Sequence, residues 1–435
     1  MKLKTITISI ALFTLGLINV QAQQGNLNLS LDSAKIYALR YNKTLLKSGL
    51  SITESQSELW DAISNGLPQV KAIYGYQNFL GADLKLDLGI PGMSTFLIPM
   101  NPTSNLQVQV SQLIFSGSYW VGIEMSKLAE QINKTSYNKT ELDVCKQVTE
   151  SYYAILVAQE TKRIVEGNIE NLREMKKKTE AMAAVGVTEQ TNADQISIQV
   201  ASMENSLKQM DRQIELAYNM LRLQLGVKAS LQLTLTEPLE GFVNEITIAD
   251  LIEEPFQVNQ NNNVILMDQS VEMAKKQLKM AYTNFMPTVA AFYDYTYKIQ
   301  KSDFDTQPVN VIGINASMPL FTGGGNCSKV KQAKIKLEQA ELDRQNVIDQ
   351  MLVQEKQLRF NLKNALESYE IQKKNINVSN RVYKSVSQKY EQGVSSSLDL
   401  TTASSNLLTA QNNYISSLYQ LLSAQTELQN LLGKK

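Results

Sequence analysis

The side chains that ordinarily carry chemistry are scarce in this 435-residue chain, and their spacing does not serve it. There is no histidine, so the usual general base, the commonest zinc ligand and the Ser-His and Cys-His nucleophile systems are missing together. Two cysteines, Cys145 and Cys327, are too few for a disulfide framework or for a four-ligand metal site. Gly323-Gly324-Gly325 has the backbone freedom to cradle an anion at a helix start. It lacks the Gly-Lys-Ser/Thr ending of a phosphate loop, so a strand-to-helix bend is the simpler reading. Lys176-Lys177-Lys178 reads as a solvated face, the carboxylates are scattered, and the serines have no base. No catalytic residue, cofactor or metal is expected, and the chain does not read as an enzyme. Forty-two basic residues balance forty-two acidic ones, which leaves no net positive field for nucleic acid.

What must be positioned, then, is architecture. Lys2 and Lys4 precede an apolar run from Ile8 to Ile18, and Val20-Gln21-Ala22 has the small-x-small form of a cleavage site. Residues 1–22 are therefore expected to be a secretory signal. Past Ala22 no run of about 18 apolar residues exists, so no transmembrane helix is expected. The rest of the chain repeats itself. Gly66 to Tyr76 matches Phe285 to Tyr295 at an offset of 219, with Pro68 and Pro287 equivalent. Ile114-Phe115-Ser116-Gly117 matches Leu320-Phe321-Thr322-Gly323 at 206, and Gly186 and Gly226 match Gly393 and Gly433 at 207. This reading divides the chain into a first repeat over 23–226, a linker over 227–249 and a second repeat over 250–433. The first repeat has 13 extra residues near Gly81 to Pro102, a Gly- and Pro-rich stretch expected to be a long loop.

Within each repeat the period switches. Ala193, Ile196, Val200, Met203, Leu207, Met210, Ile214, Ala217 and Leu221 alternate steps of three and four, a coiled-coil seam. Leu400, Ala403, Leu407, Ala410 and Tyr414 repeat it, and Ser417 interrupts it before Leu421. Helices are expected over 30–67, 118–185, 187–226, 250–286, 324–392 and 394–433. A helix of about 68 residues is ~100 Å long, and two short ones end to end match it. Each repeat thus reads as a long helix antiparallel to a split pair, turning at Gly186 or Gly393. Between the helices, about 69–115 and 288–321 read as β-hairpins. Val70, Ala72, Tyr74 and Tyr76 share one face, as do Val289, Ala291, Tyr293, Tyr295 and Tyr297. Strands of about 10 residues with tyrosines on the oily face have the length and the anchors of membrane-spanning strands. Four strands cannot close a barrel, and open edges are not tolerated in hydrocarbon. Two copies would make ~8 strands around a filled interior; three would make ~12 around a passage. A homotrimer in contact with membrane lipid is the simplest assembly with a pore.

The duplicated helix-hairpin-helix layout carries three further marks. These are Leu67-Pro68-Gln69, Pro319-Leu320-Phe321-Thr322-Gly323-Gly324, and Tyr390-Glu391-Gln392-Gly393-Val394 ahead of Leu398-Asp399-Leu400. In order and spacing the chain resembles the TolC-type outer-membrane efflux proteins over almost its whole length. That resemblance implies an α+β membrane protein whose long helical hairpins build an α-barrel and whose four strands per protomer join a trimeric 12-stranded β-barrel. It implies an exit duct of a tripartite efflux or type I secretion system in the Gram-negative outer membrane, with a large periplasmic part. It would dock on a periplasmic membrane-fusion adaptor and an inner-membrane transporter, and pass small molecules or polypeptides. By the same resemblance, the aperture lies at the tips near Gly186 and Gly393, with Tyr390 holding the tip closed and Asp399 ringing the entrance. The family's arginine and second aspartate are here Ser395 and Thr402, and the first-repeat counterpart of Asp399 is Asn192. Asp399 has a second reading as a helix-start carboxylate. Pro68, Gly117, Pro287 and Gly323 mark helix-strand junctions. A periplasmic adaptor should show β-rich lipoyl-like segments around a single hairpin, and a pore-free coiled-coil protein would need no Tyr-rich strands; both remain as alternatives.

Overall fold

A computed structural model describes residues 27–86, 96–301 and 307–434. The expected signal segment and the middle of the expected long loop lie outside these residues. In chain order the elements are β1 (Leu27–Leu29), α1 (Leu31–Tyr41), α2 (Lys43–Ser64), β2 (Gln69–Gln77), β3 (Asp83–Leu86), β4 (Phe96–Pro99), β5 (Thr103–Ser116), α3 (Gly117–Ala184) and α4 (Gln190–Leu225). After β6 (Leu233–Leu235) come α5 (Glu245–Glu253), α6 (Asn262–Thr283), β7 (Thr288–Gln300), β8 (Asn310–Ser317), α7 (Gly325–Glu391) and α8 (Ser397–Leu431). Among the described residues no helix is long and apolar enough to cross a membrane.

The two expected first helices are each broken. Asn42 ends α1 and caps α2, its side-chain oxygen accepting from the Thr44 and Leu45 amides. Its Nδ2 donates to the carbonyl of Gln224 at 2.7 Å. In the second half the chain leaves α5 at Glu254 and restarts at Asn261, whose side chain accepts from the Asn263 amide and donates to the Leu431 carbonyl at 3.0 Å. Seam periodicity gave no sign of either break, because Asn at a helix start satisfies amides that would otherwise be orphaned, and apolar spacing does not record this. The breaks have a use. They bring the C-terminus of α4 against the N-terminus of α2, and that of α8 against α6. Each pair forms a stack beside α3 or α7, respectively.

Four helix ends close in the same way. Gly186, Gly226, Gly393 and Gly433 all have φ between +71° and +77°. Beside each, the next amide bonds five residues back and the glycine amide three back, as in Val187 to Met182 and Gly186 to Ala183. This is the Schellman end that glycine favours. The seam itself packs as spaced: Ala193, Ile196, Val200, Met203, Leu221, Leu400, Ala403 and Leu407 are buried. Ser417 does not interrupt it, being buried with its hydroxyl bonded to the Tyr414 carbonyl at 2.8 Å.

The four long strands form one antiparallel sheet in the order β2-β5-β7-β8. Its register aligns Val70, Val110, Tyr293 and Ile312 in one row, with Tyr74, Leu106 and Tyr297 aligned in another. Opposite residues share a face, so these rows make a continuous apolar surface. Val70, Tyr74 and Ile312 on it are 68%, 64% and 82% exposed, and neither buried cluster of the protein contains a residue of the sheet. The 13-residue excess is more than a loop. Its described ends pair as β3 and β4, Leu84 opposite Ile98, a period-two alternation hidden by the surrounding Gly and Pro.

The larger core lies at mid-height. The parallel pair β1-β6, α1 and α5 pack on the middle of α3 and the C-terminal part of α8. There Tyr152 is fully buried and donates to the Leu29 carbonyl at 3.0 Å. Burial pushes its phenol up to about 12.

Candidate functional site: the hairpin tips

The tips are assembled from the last turns of α3 and α7 and the first turns of α4 and α8. The α3-α4 and α7-α8 turns have the same backbone, with Gly186 at φ +76° and Gly393 at +71° and open space where a Cβ would stand. A second apolar cluster lies just behind them. It includes Leu172, Met175, Ile196 and Val200 from the first repeat and Tyr390 and Leu400 from the second. The two hairpins are thus packed on each other at this end.

Three polar contacts tie them together. The hydroxyls of Tyr390 and Thr179, both buried, lie 2.8 Å apart. Lys178 Nζ donates to Glu391 Oε1 at 2.6 Å. Ser397 Oγ donates to Asn192 Oδ1 at 2.7 Å, while Asn192 Nδ2 donates to Thr188 at 2.8 Å. Of these, Tyr390 and Asn192 are visible in the sequence as candidates. Thr179, Ser397 and Glu391 are not, and Lys178 stands in a run that reads as solvated. Only the packing of one hairpin on the other supplies their partners.

Asp399 faces its own helix start. Its Oδ2 accepts from the Ser396 amide at 3.0 Å, the Ser396 hydroxyl at 2.7 Å and the Ser395 hydroxyl at 3.2 Å. The Ser396 hydroxyl in turn accepts from the Asp399 amide, completing a capping box. The Ser396 hydroxyl, then its amide, then the Ser395 hydroxyl hold the carboxyl below its usual value. Ser395, in place of an arginine, serves this cap and makes no ion pair. Thr402 donates to the Leu398 carbonyl at 2.7 Å within its helix. Burial pushes the nearby Tyr383 phenol up, with Glu174 and Glu391 adding to the shift.

At the other end, Pro68 and Pro287 immediately precede β2 and β7, Gly117 opens α3, and Gly323 and Gly324 carry φ of +59° and +82° ahead of α7. The amides of Gly325 and Asn326 are taken by the carbonyl and hydroxyl of Thr322, which makes this turn the bend that starts α7. Among the described residues no cluster of His, Cys, Asp or Glu can hold a metal, and Cys145 and Cys327 form no disulfide.

The architecture has close counterparts. The family profile described as outer membrane efflux protein matches residues 98–227 and 258–434. "Outer membrane protein TolC" of Vibrio cholerae serotype O1 is 19% identical over 396 residues, covering 88% of this chain and 87% of that one. The protein of the same name from Salmonella enteritidis is 24% identical over 416 residues, covering 90% and 79%. The crystal structure of the outer membrane protein VceC of Vibrio cholerae superposes with a TM-score of 0.74 at 15% identity, covering 93% of this chain and 96% of that one.

Proposed function

The chain belongs to the outer membrane efflux protein family, a family of channel proteins of the Gram-negative outer membrane. From that premise we propose that three copies assemble into an exit duct. Their sheets close into a 12-stranded barrel through the outer membrane, and their helices continue as a tube into the periplasm. The sheet carries this reading: it has a continuous exposed apolar face and, among the described residues, two unpaired edges, β2 and β8. Such edges are stable in hydrocarbon only when another strand pairs with them, and ~12 strands leave a lumen where ~8 would fill it.

The two repeats, 23–226 and 250–433, supply one hairpin of the barrel and one of the tube each, and the linker 227–249 joins the belt at mid-height. The tips at Gly186 and Gly393 form the periplasmic aperture, and the Tyr390–Thr179, Lys178–Glu391 and Asn192–Ser397 contacts hold each protomer's pair of hairpins closed. The duct receives small molecules or polypeptides from an inner-membrane transporter through a periplasmic adaptor, and no chemical step is involved. Mass in detergent and single-channel conductance of the mature protein test this. A trimer with discrete steps that widen in Tyr390→Ala is expected. A monomer or dimer that never conducts would overturn the duct.

A further inference from the structure

Among the described residues, the wall of each protomer has two free sides. α3 packs on α2 and α4 on one side and on α6 and α8 on the other, and α7 packs on α6 and α8. The outer faces of α7 and of the α2-α4 stack remain. On α7, Ile335, Val353 and Ile371 recur every 18 residues, as do Leu342, Phe360 and Val378. Eighteen residues are five helical turns, so these six form a straight stripe, and all are 47–68% exposed. On α4, Ile198, Leu216 and Leu223 are 71%, 64% and 67% exposed and share the face opposite buried Ile196 and Leu221.

Near the barrel the two sides differ in charge. Between Gly325 and Leu337, α7 carries Lys329, Lys331, Lys334 and Lys336 and no carboxylate. Between Ser48 and Pro68, α2 carries Glu54, Glu58 and Asp61 and no basic residue. Spaced i, i+4 and i+7, these three share a side roughly opposite buried Leu45. All seven groups are exposed, and none enters an ion pair among the described residues. Their heights agree. At ~1.5 Å per residue from the helix ends that adjoin the sheet, Asp61, Glu58 and Glu54 lie about 5, 9 and 15 Å down. Lys329, Lys331 and Lys334 lie about 6, 9 and 14 Å down, and Leu342 on α7 lies level with Leu46 on α2 at about 26–27 Å.

The geometry points to a second copy of this chain as the occupant. Resting on the homotrimer proposed above, the seam between protomers sets the basic start of α7 against the acidic end of the neighbour's α2. The apolar stripe of α7 then runs down along Leu46 of that α2 and the outer face of its α4. The contact is head-to-tail, so it closes into a ring when the rotation permits. Charge nearest the barrel favours this register, since it sets Lys329, Lys331 and Lys334 level with Asp61, Glu58 and Glu54, and a slip of about one turn toward the tips would carry Lys334 past the acidic group toward Leu50.

Charge reversal with rescue tests the seam. In detergent at low salt, Glu54→Lys/Glu58→Lys/Asp61→Lys and, separately, Lys329→Glu/Lys331→Glu/Lys334→Glu are expected to weaken trimer association roughly tenfold to a hundredfold. Combining the two sets in one chain should restore it, and about 1 M salt should shrink every difference. In a Cys327→Ser background, Glu58→Cys with Lys331→Cys should give an oxidised ladder up to a covalent trimer. A trimeric wild type whose reversal variants assemble equally well, or are not rescued in combination and give no cross-link, overturns the seam alone. A wild type that is not a trimer overturns the assembly and the seam together.

Discussion

The two hairpin tips share a turn backbone and differ in how the returning helix begins. Both α3 and α7 end on a Schellman glycine, and both returning helices start within a few residues. After Gly393 the start is self-contained: Ser396 and Asp399 cap each other. After Gly186 the N-cap is Glu189, with no side-chain cap bond, and Asn192, at the Asp399-equivalent position, bonds Ser397 of the other hairpin. One tip commits its carboxylate to its own helix, and the other divides its amide between Thr188 beside it and Ser397 of its neighbour. A duplicated motif can therefore keep its fold while one copy changes from local capping to contact between hairpins.

Substitutions at these positions separate the two roles, and melting in detergent would rank them. Tyr390→Ala should have the largest effect, about 3–5 kcal/mol of tip stability, because it empties a buried site and leaves the Thr179 hydroxyl only its bond to the Met175 carbonyl. Tyr390→Phe should cost only about 1–2 kcal/mol; equal costs would mean that the ring's packing contributes nothing. Next comes a pair at the opposite ends of the short helices. A Cβ on Gly226 would meet the Tyr41 carbonyl oxygen at 2.2 Å, whereas Gly433 has open space. Gly226→Ala should lose roughly 2–5 kcal/mol and Gly433→Ala about 1–2 kcal/mol. At the tips, Gly186→Ala and Gly393→Ala should each cost about 1–2 kcal/mol, since backbone strain alone is at stake. A marked inequality would show that the two turns are not equivalent.

Asn192→Ala should cost about 1 kcal/mol and loosen the hairpins from each other, seen as faster hydrogen exchange at both tips. Asp399→Ala should be smaller still and confined to α8. Because the folded carboxyl is held below its usual value, its contribution is complete above the unfolded value of about 3.9 and fades as pH falls through the lower folded one. A melting profile for Asp399→Ala that still tracks wild type above pH 5 would show that the cap contributes nothing.

The helices, the hairpins and the tip glycines were legible because each obeys a local rule: a period of 3.5, a period of 2, or glycine at positive φ. The capping reading of Asp399 was legible for the same reason, its partners being three and four residues away. The breaks at Asn42 and Asn261 were not, since each forms where another helix end arrives. Thr179 gave no signal, because its phenol partner is 211 residues away. The β3-β4 pair was masked by the glycines and prolines of its connection.

Sequence by itself determined the long helices, the main strands and the internal repetition, because these depend on residue type and short-range spacing. Tertiary structure alone decided which half of the chain lies against which, and so which side chains at the tips are paired across the hairpins. It also decided which helix faces are left bare. A periodic stripe states that one face of a helix is apolar; only the packed arrangement determines whether that face is already covered, because burial depends on all the other elements at once.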